Sequence, residues 1–186
     1  MKHAGTVKLE TERLILRRFT NLDYSTMFSN WGSDPEVTKY LTWATFDSVE
    51  NAKQVLSDWV PKYESQTFYQ WGIEIKETET LIGSISVVKN NDITEMVHIG
   101  YCIGKHWWGR GYTSEALSCL VKFFFEEVGV NRIESLHDPR NVVSGKVMQK
   151  AGLRYEGTSL ESDRNNQGIC DAANYAILAK DYFGRK

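Results

Sequence analysis

Residues 68–104 contain three strand-like runs, FYQWGIEIK (68–76), LIGSISVVK (81–89) and TEMVHIGYCIG (94–104), joined by the short polar turns ETET and NND. Runs so closely spaced pair with their immediate neighbours, which predicts an antiparallel meander. The last run leads into Gly104-Lys105-His106-Trp107-Trp108-Gly109-Arg110-Gly111, and there the period changes. Ala116, Leu117, Leu120, Phe123, Phe124 and Val128 recur at three-to-four spacing, which predicts a helix from Tyr112 to about Val128 with its stop at Gly129. RIESLH (132–137) reads as the next strand. A strand reached through a helix favours parallel pairing with the strand before that helix.

The flanks complete an α+β pattern. LILRRF (14–19) reads as a first strand and Leu22 to Trp31 as a short helix. Asp34-Pro35 has the form of an N-cap followed by proline at the first helical position. Asp47 and Glu50 suggest a capping box for a helix bearing Val49, Ala52, Val55, Leu56, Trp59, Val60 and Tyr63, kinked or ended by Pro61. Ser144 to Ala151 predicts a helix ended by Gly152. LRYEGTSL and DAANYAILA then read as two closing strands, with ESDRNNQG as a polar loop between them. The expectation is a single domain over residues 1–186, core about 10–182, built on one mixed sheet.

Composition bears on what such a domain can bind. Net charge is −2 and the basic residues are scattered, which argues against a nucleic-acid-binding face. An anionic ligand must then be held by a few aimed donors. Cys102, Cys119 and Cys170 are odd in number and lack C-x-x-C spacing, and His3, His98, His106 and His137 share no metal-ligand spacing. No metal is expected. With no signal-peptide h-region and no apolar run of membrane-spanning length, the expected location is the cytoplasm.

The glycine turn is such a set of donors. Glycine permits tight or positive-φ backbone and close ligand approach, and a helix starting there adds unpaired N–H groups and a positive dipole end. Together they suit a phosphate or diphosphate, with Arg110 at the rim. Gly104 and Gly109 have P-loop spacing, but Arg110-Gly111 stands where Lys-Ser/Thr is required, so NTP hydrolysis is disfavoured. Ser114 takes the third place of a dinucleotide G-x-G-x-x-G, yet a meander precedes the turn rather than βαβ units.

IGYCIGKHWWGRGYTSEAL, then RIES, NVVSGKVMQKAGL and YEG, resembles the GCN5-related N-acetyltransferase (GNAT) superfamily. ETERLILRRF near the start and D-x-x-x-Y-A near the end are similar to its RimJ/RimL-type branch, which acetylates N-terminal amines of ribosomal proteins. The resemblance implies an acetyl-CoA-dependent N-acetyltransferase with splayed central strands. Its diphosphate would lie on amides from Trp108 through Gly109, Arg110, Gly111 and Tyr112 to Thr113, and its pantetheine arm would pair with the strand end around Cys102 and Ile103. Asn141 would hydrogen-bond the arm, and Ser144 would lie near the sulfur. His106 departs from the Gln/Arg usual at the start of the cofactor turn. The superfamily's frequent tyrosine acid is replaced by Met148, so the implied arrangement is a serine with a carboxylate.

For the base, Asp163 and Glu161 lie where RimL-like members carry a carboxylate, Asp163 fitting the spacing from Ser144 better; His98 is a further candidate because its ordinary pKa suits the task. Trp31, Tyr40 and Trp43 would wall the acceptor pocket. The acceptor would be a protein N-terminus or a small amine, including an antibiotic, and the resemblance suggests a homodimer. Two other readings stand beside this one: a CoA-binding regulatory module without turnover, and a nucleotide-binding protein that prefers ATP to CoA.

Overall fold

In a computed structural model, residues 1–184 are described; the last two residues of the expected domain lie outside them. Eight strands form one sheet in the order β1-β2-β3-β4-β5-β6-β8-β7. They are β1 (Leu9–Glu10), β2 (Leu14–Arg17), β3 (Gln70–Ile75), β4 (Thr80–Asn91), β5 (Met96–Ile103), β6 (Arg132–His137), β7 (Arg154–Asn165) and β8 (Gly168–Leu178). Every neighbouring pair is antiparallel except β5–β6, which the crossover through α4 (Tyr112–Phe123) makes parallel. The α+β mixed sheet expected from the period changes is present.

Alternation along the strands divides the apolar side chains between two faces. Val97, Ile99, Ile103 and Ile133 pack with Ala116, Leu117, Leu120 and Phe124 in one core, beneath α4. Leu81 turns to the opposite face and joins Phe19, Met27, Trp31 and Leu56 in a second core. That core lies against α1 (Tyr24–Met27), α2 (Pro35–Thr38) and α3 (Val49–Trp59). Burying each such side chain contributes about 1.5–3 kcal/mol.

Helix starts follow local chemistry, with one change from expectation. Asp34 caps α2 by accepting from the Glu36 amide at 2.8 Å. The start of α3 is capped by Ser48 and Asn51 rather than Asp47 and Glu50: Asn51 Oδ1 accepts the Asp47 and Ser48 amides, both at 3.0 Å. Asn reaches back as Glu would in the usual box, so the acidic pattern one residue earlier is a decoy. The helical stretch near Trp31 ends in a wider π turn (Phe28–Gly32), and α4 continues into a second one (Phe124–Val128) closed by Gly129 at φ 75°. The segment expected as a polar loop, ESDRNNQG, is largely strand: β7 runs on to Asn165, with a register shift between Ser159 and Asp163.

Candidate active site

Gly109 and Gly111 have φ of 75° and 82°, left-handed values at which side chains with a Cβ are strained. Gly111 is the N-cap of α4, and the first helical bond runs from Glu115 N to Gly111 O at 3.1 Å. The amides of Tyr112, Thr113 and Ser114 thus precede the ladder of that helix and point out of its start. The turn is braced from the connection between β1 and β2, a feature with no local signal in the sequence. The Glu115 carboxylate accepts from Thr11 Oγ1 (2.5 Å), Arg13 N (2.9 Å) and Arg13 Nε (2.7 Å). Arg13 also donates to Arg110 O at 3.1 Å and lies over the Tyr112 ring at 4.5 Å. Burial alone would raise the Glu115 pKa, but Thr11 and Arg13 outweigh it and hold the group ionised. The Arg110 guanidinium is exposed at the rim. Trp108 anchors the preceding strand end by donating from Nε1 to Ile103 O at 2.8 Å.

Beside this turn the sheet opens. The β5–β6 ladder contains Met96↔Arg132, Val97↔Ile133 and His98↔Glu134, and stops there although both strands continue. Ile99 still directs its carbonyl toward β6, where Ser135 Oγ donates at 2.8 Å. Backbone groups alternate sides along a strand, so Tyr101 and Ile103 also face the gap, while Cys102 faces β4; Gly104 N, in the Cys102 set, bonds Ile82 O at 2.8 Å. The Cys102 thiol lies against Ser84 Oγ at 3.4 Å, and burial raises its pKa. Of the two strand-end candidates, Ile103 therefore offers its amide to the gap and Cys102 does not; Tyr101, which was not among the expected site residues, does.

Across the gap stands α5 (Val142–Lys150). Its N-cap, Asn141, makes no side-chain capping bond, so its amide is not spent on the helix. The turn before it is built by Asp138, whose carbonyl accepts from Asn141 N at 2.7 Å and His137 Nδ1 at 2.8 Å. Ser144 Oγ lies 3.0 Å from Tyr101 Oη, which also donates to Ser144 O at 3.0 Å. Burial pushes the Tyr101 phenol well above its usual pKa, so it stays protonated. Met148 is buried in the core and carries no proton to give.

His98 is the last β5 residue paired with β6, at the apex of the gap. It lines a groove of about 470 Å³ with Arg132, Glu134, Glu156, Ser159 and Asn174. Burial lowers its pKa below the ordinary 6.5, against the raising effect of Glu134, whose Oε1 lies 3.6 Å from Nδ1. The imidazole is thus neutral at neutral pH. Asp163 is close enough for its charge to act on His98, while its Oδ1 accepts from Arg164 N at 2.8 Å. Glu161 is exposed at the β7 bulge with φ 46°, and its amide donates to Asp171 Oδ1 at 2.8 Å. Neither carboxylate hydrogen-bonds Ser144; the partner of Ser144 is Tyr101.

Of the expected acceptor wall, Trp31 is 2% exposed and packs inside the second core, its ring centroid 6.4 Å from that of Phe19. Tyr40 and Trp43 are partly exposed on the segment after α2, with Arg140 lying 6.0 Å from the Tyr40 ring. Among the described residues, no group of three His, Cys, Asp or Glu side chains is arranged to hold a metal ion, and no helix is long and apolar enough to cross a membrane.

Comparison with known proteins agrees with this geometry. The chain is 31% identical over 179 residues to the uncharacterized N-acetyltransferase p20 of Bacillus licheniformis, spanning 95% of this chain and 98% of that protein. A stretch of 60 residues is 32% identical to the [ribosomal protein uS5]-alanine N-acetyltransferase of Escherichia coli, 32% of this chain and 31% of that one. The crystal structure of a GNAT-family acetyltransferase from Bacillus anthracis superposes with a TM-score of 0.82 at 25% identity, covering 94% of this chain and 99% of that one. Residues 13–154 match the family model described as an acetyltransferase (GNAT) domain, and with the glycine turn, the splayed strands and the full-length relative this establishes that the chain is an N-acetyltransferase of the GNAT family.

Proposed function

We propose that the protein moves the acetyl group of acetyl-CoA directly to a primary amine, with His98 as the base. The observation that carries this reading is the end of the β5–β6 ladder at His98, beside a helix start shaped by two left-handed glycines. The amides from Trp108 to Thr113, with Arg110 at the rim, hold the diphosphate of the substrate. The backbone of Tyr101 and Ile103 takes its pantetheine arm as an added strand would be taken, and the Asn141 side chain supplies a further bond. The Asn141 side-chain carboxamide, which makes no capping bond, and the gap-facing backbone fit a chain of alternating donors and acceptors.

The amine enters along the groove and gives up a proton to His98, with Glu134 and Asp163 stabilising the imidazolium that forms. Its nitrogen then attacks the thioester carbon, and the oxygen that becomes negative meets the Tyr101 amide. When the carbon–sulfur bond breaks, the electron pair leaves with the sulfur. The Ser144 hydroxyl, held by Tyr101, passes its proton to the sulfur and takes up the second proton that the acylated nitrogen sheds, so that the free thiol and the neutral amide form together and the serine is restored. No covalent enzyme intermediate is needed.

The first acceptor to test is a protein N-terminus, supported by the substrate in the name of the Escherichia coli relative. The experiment is thiol release from acetyl-CoA with a panel of alanine-initiated peptides, amino acids, polyamines and aminoglycosides. Amine-dependent release with one class dominant is the expected result. Binding of CoA with no amine-dependent release would replace this reading with that of a CoA-binding module.

A further inference from the structure

The tip of the β7–β8 hairpin carries two consecutive asparagines whose side chains are committed in different directions. Asn166 Nδ2 donates to Thr38 O and to Trp43 O, both at 2.8 Å, and Asn166 N donates to Leu41 O at 3.2 Å. One residue thus ties down three carbonyls of the irregular 38–43 segment, which carries Tyr40 and Trp43. Asn165 is buried; its Nδ2 donates to Asp138 Oδ2 at 2.8 Å and its Oδ1 accepts from Gln167 N at 2.7 Å, which sets the shape of the tip. Asp138 in turn fixes the Arg140–Asn141 turn through the Arg140 guanidinium and the Asn141 amide.

The hairpin tip therefore joins the two sides of the site: the segment after α2 and the turn that presents Asn141. We infer that Asn166 is a positioning residue for the amine acceptor, holding the Tyr40–Trp43 segment at a set distance from the Asn141 turn, with Asn165 as its fixed foot. The inference rests on the reading of Tyr40 and Trp43 as a wall of the acceptor site. A carboxamide suits the task because two N–H bonds on one nitrogen reach two carbonyls at once. The exposed position of Asn166 lets it act without contributing to either core.

The test is Asn166→Asp, which keeps the size but sets an acceptor-only carboxylate against the Thr38 and Trp43 carbonyls. KM for an alanine-initiated peptide should rise roughly tenfold or more, with kcat and the Kd for acetyl-CoA within about twofold of wild type. Hydrogen exchange should quicken across 38–43 and stay unchanged across 138–141. Wild-type KM and wild-type exchange would overturn the inference. So would equal increases in amine KM and acetyl-CoA Kd, which signal general loosening. If the wild-type enzyme releases no thiol with any amine, it is the proposed function that fails; exchange confined to 38–43 then still supports the tie, and unchanged exchange still refutes it.

Discussion

A histidine works as a base at neutral pH when its surroundings keep it unprotonated without hiding it from substrate. His98 meets both conditions, with a side chain 15% exposed at the groove and a pKa lowered chiefly by burial. kcat/KM should therefore climb with pH along a limb lying below 6.5 and level off above it. His98→Gln should remove that limb and lower kcat by about 10²–10⁴. A limb that survives in the variant would transfer the role to Asp163 or Glu161, separable by Asp163→Asn and Glu161→Gln. Stability carries the same signature. Folded His98 binds its proton less tightly than unfolded His98, so stability from this residue is complete above the ordinary histidine pKa and declines as pH falls below it. Chemical denaturation of wild type and His98→Gln between pH 5 and 8 should show the wild type alone losing this increment (pH values of roughly that span bracket histidine). At Tyr101 a different measurement applies. Tyr101→Phe and Ser144→Ala should each slow thiol release, and the double variant should be no slower than the worse single one, because the two hydroxyls act as a unit.

Among the elements, the glycine turn combines left-handed backbone with the proposed grip on the diphosphate. Gly111→Val would force a β-branched residue to φ 82°, costing about 1–2 kcal/mol. It would also crowd the amides at the start of α4. Calorimetry should find acetyl-CoA binding largely lost while thermal unfolding falls by only a few degrees, since α4 keeps its packed face. Unaltered binding would place the diphosphate elsewhere. This turn is readable in the sequence because glycine spacing and the onset of a 3.6 period are both local signals. The meander, the parallel strand and the stop at Gly129 are readable for the same reason. The brace of Glu115 by Thr11 and Arg13 is not, since it joins residues about a hundred positions apart and each is ordinary in its own neighbourhood. Asp163 and Glu161 read as loop residues because ESDRNNQG is polar throughout; an edge strand exposed on both faces has no hydrophobic alternation to reveal it. Tyr101 is hidden by strand parity, which composition does not disclose and one side-chain bond, Ser135 to Ile99, does.

At the scale of the whole molecule, the two cores lie on opposite faces of a sheet that is incomplete along one seam. Strands β1 to β5 form one paired set and β6, β8 and β7 another, and past His98 and Glu134 no ladder joins them. Substrate that lies in this seam supplies backbone-like donors and acceptors to both sets and should couple them. Ligand at about a hundred times its Kd stabilises a folded protein by roughly 2.7 kcal/mol through mass action alone, which fixes the size of the thermal shift to expect. The spatial pattern is the sharper test. With CoA bound, amide exchange should slow at Tyr101 and Ile103 and along the first turn of α4. The β6–β8 ladder, already complete from Arg132 to His137, should change little. Uniform protection of the sheet would mean that the ligand acts by general stabilisation. If substrate instead takes the place of the pairing that β5 and β6 do not make, slowing should be confined to the seam and the glycine turn.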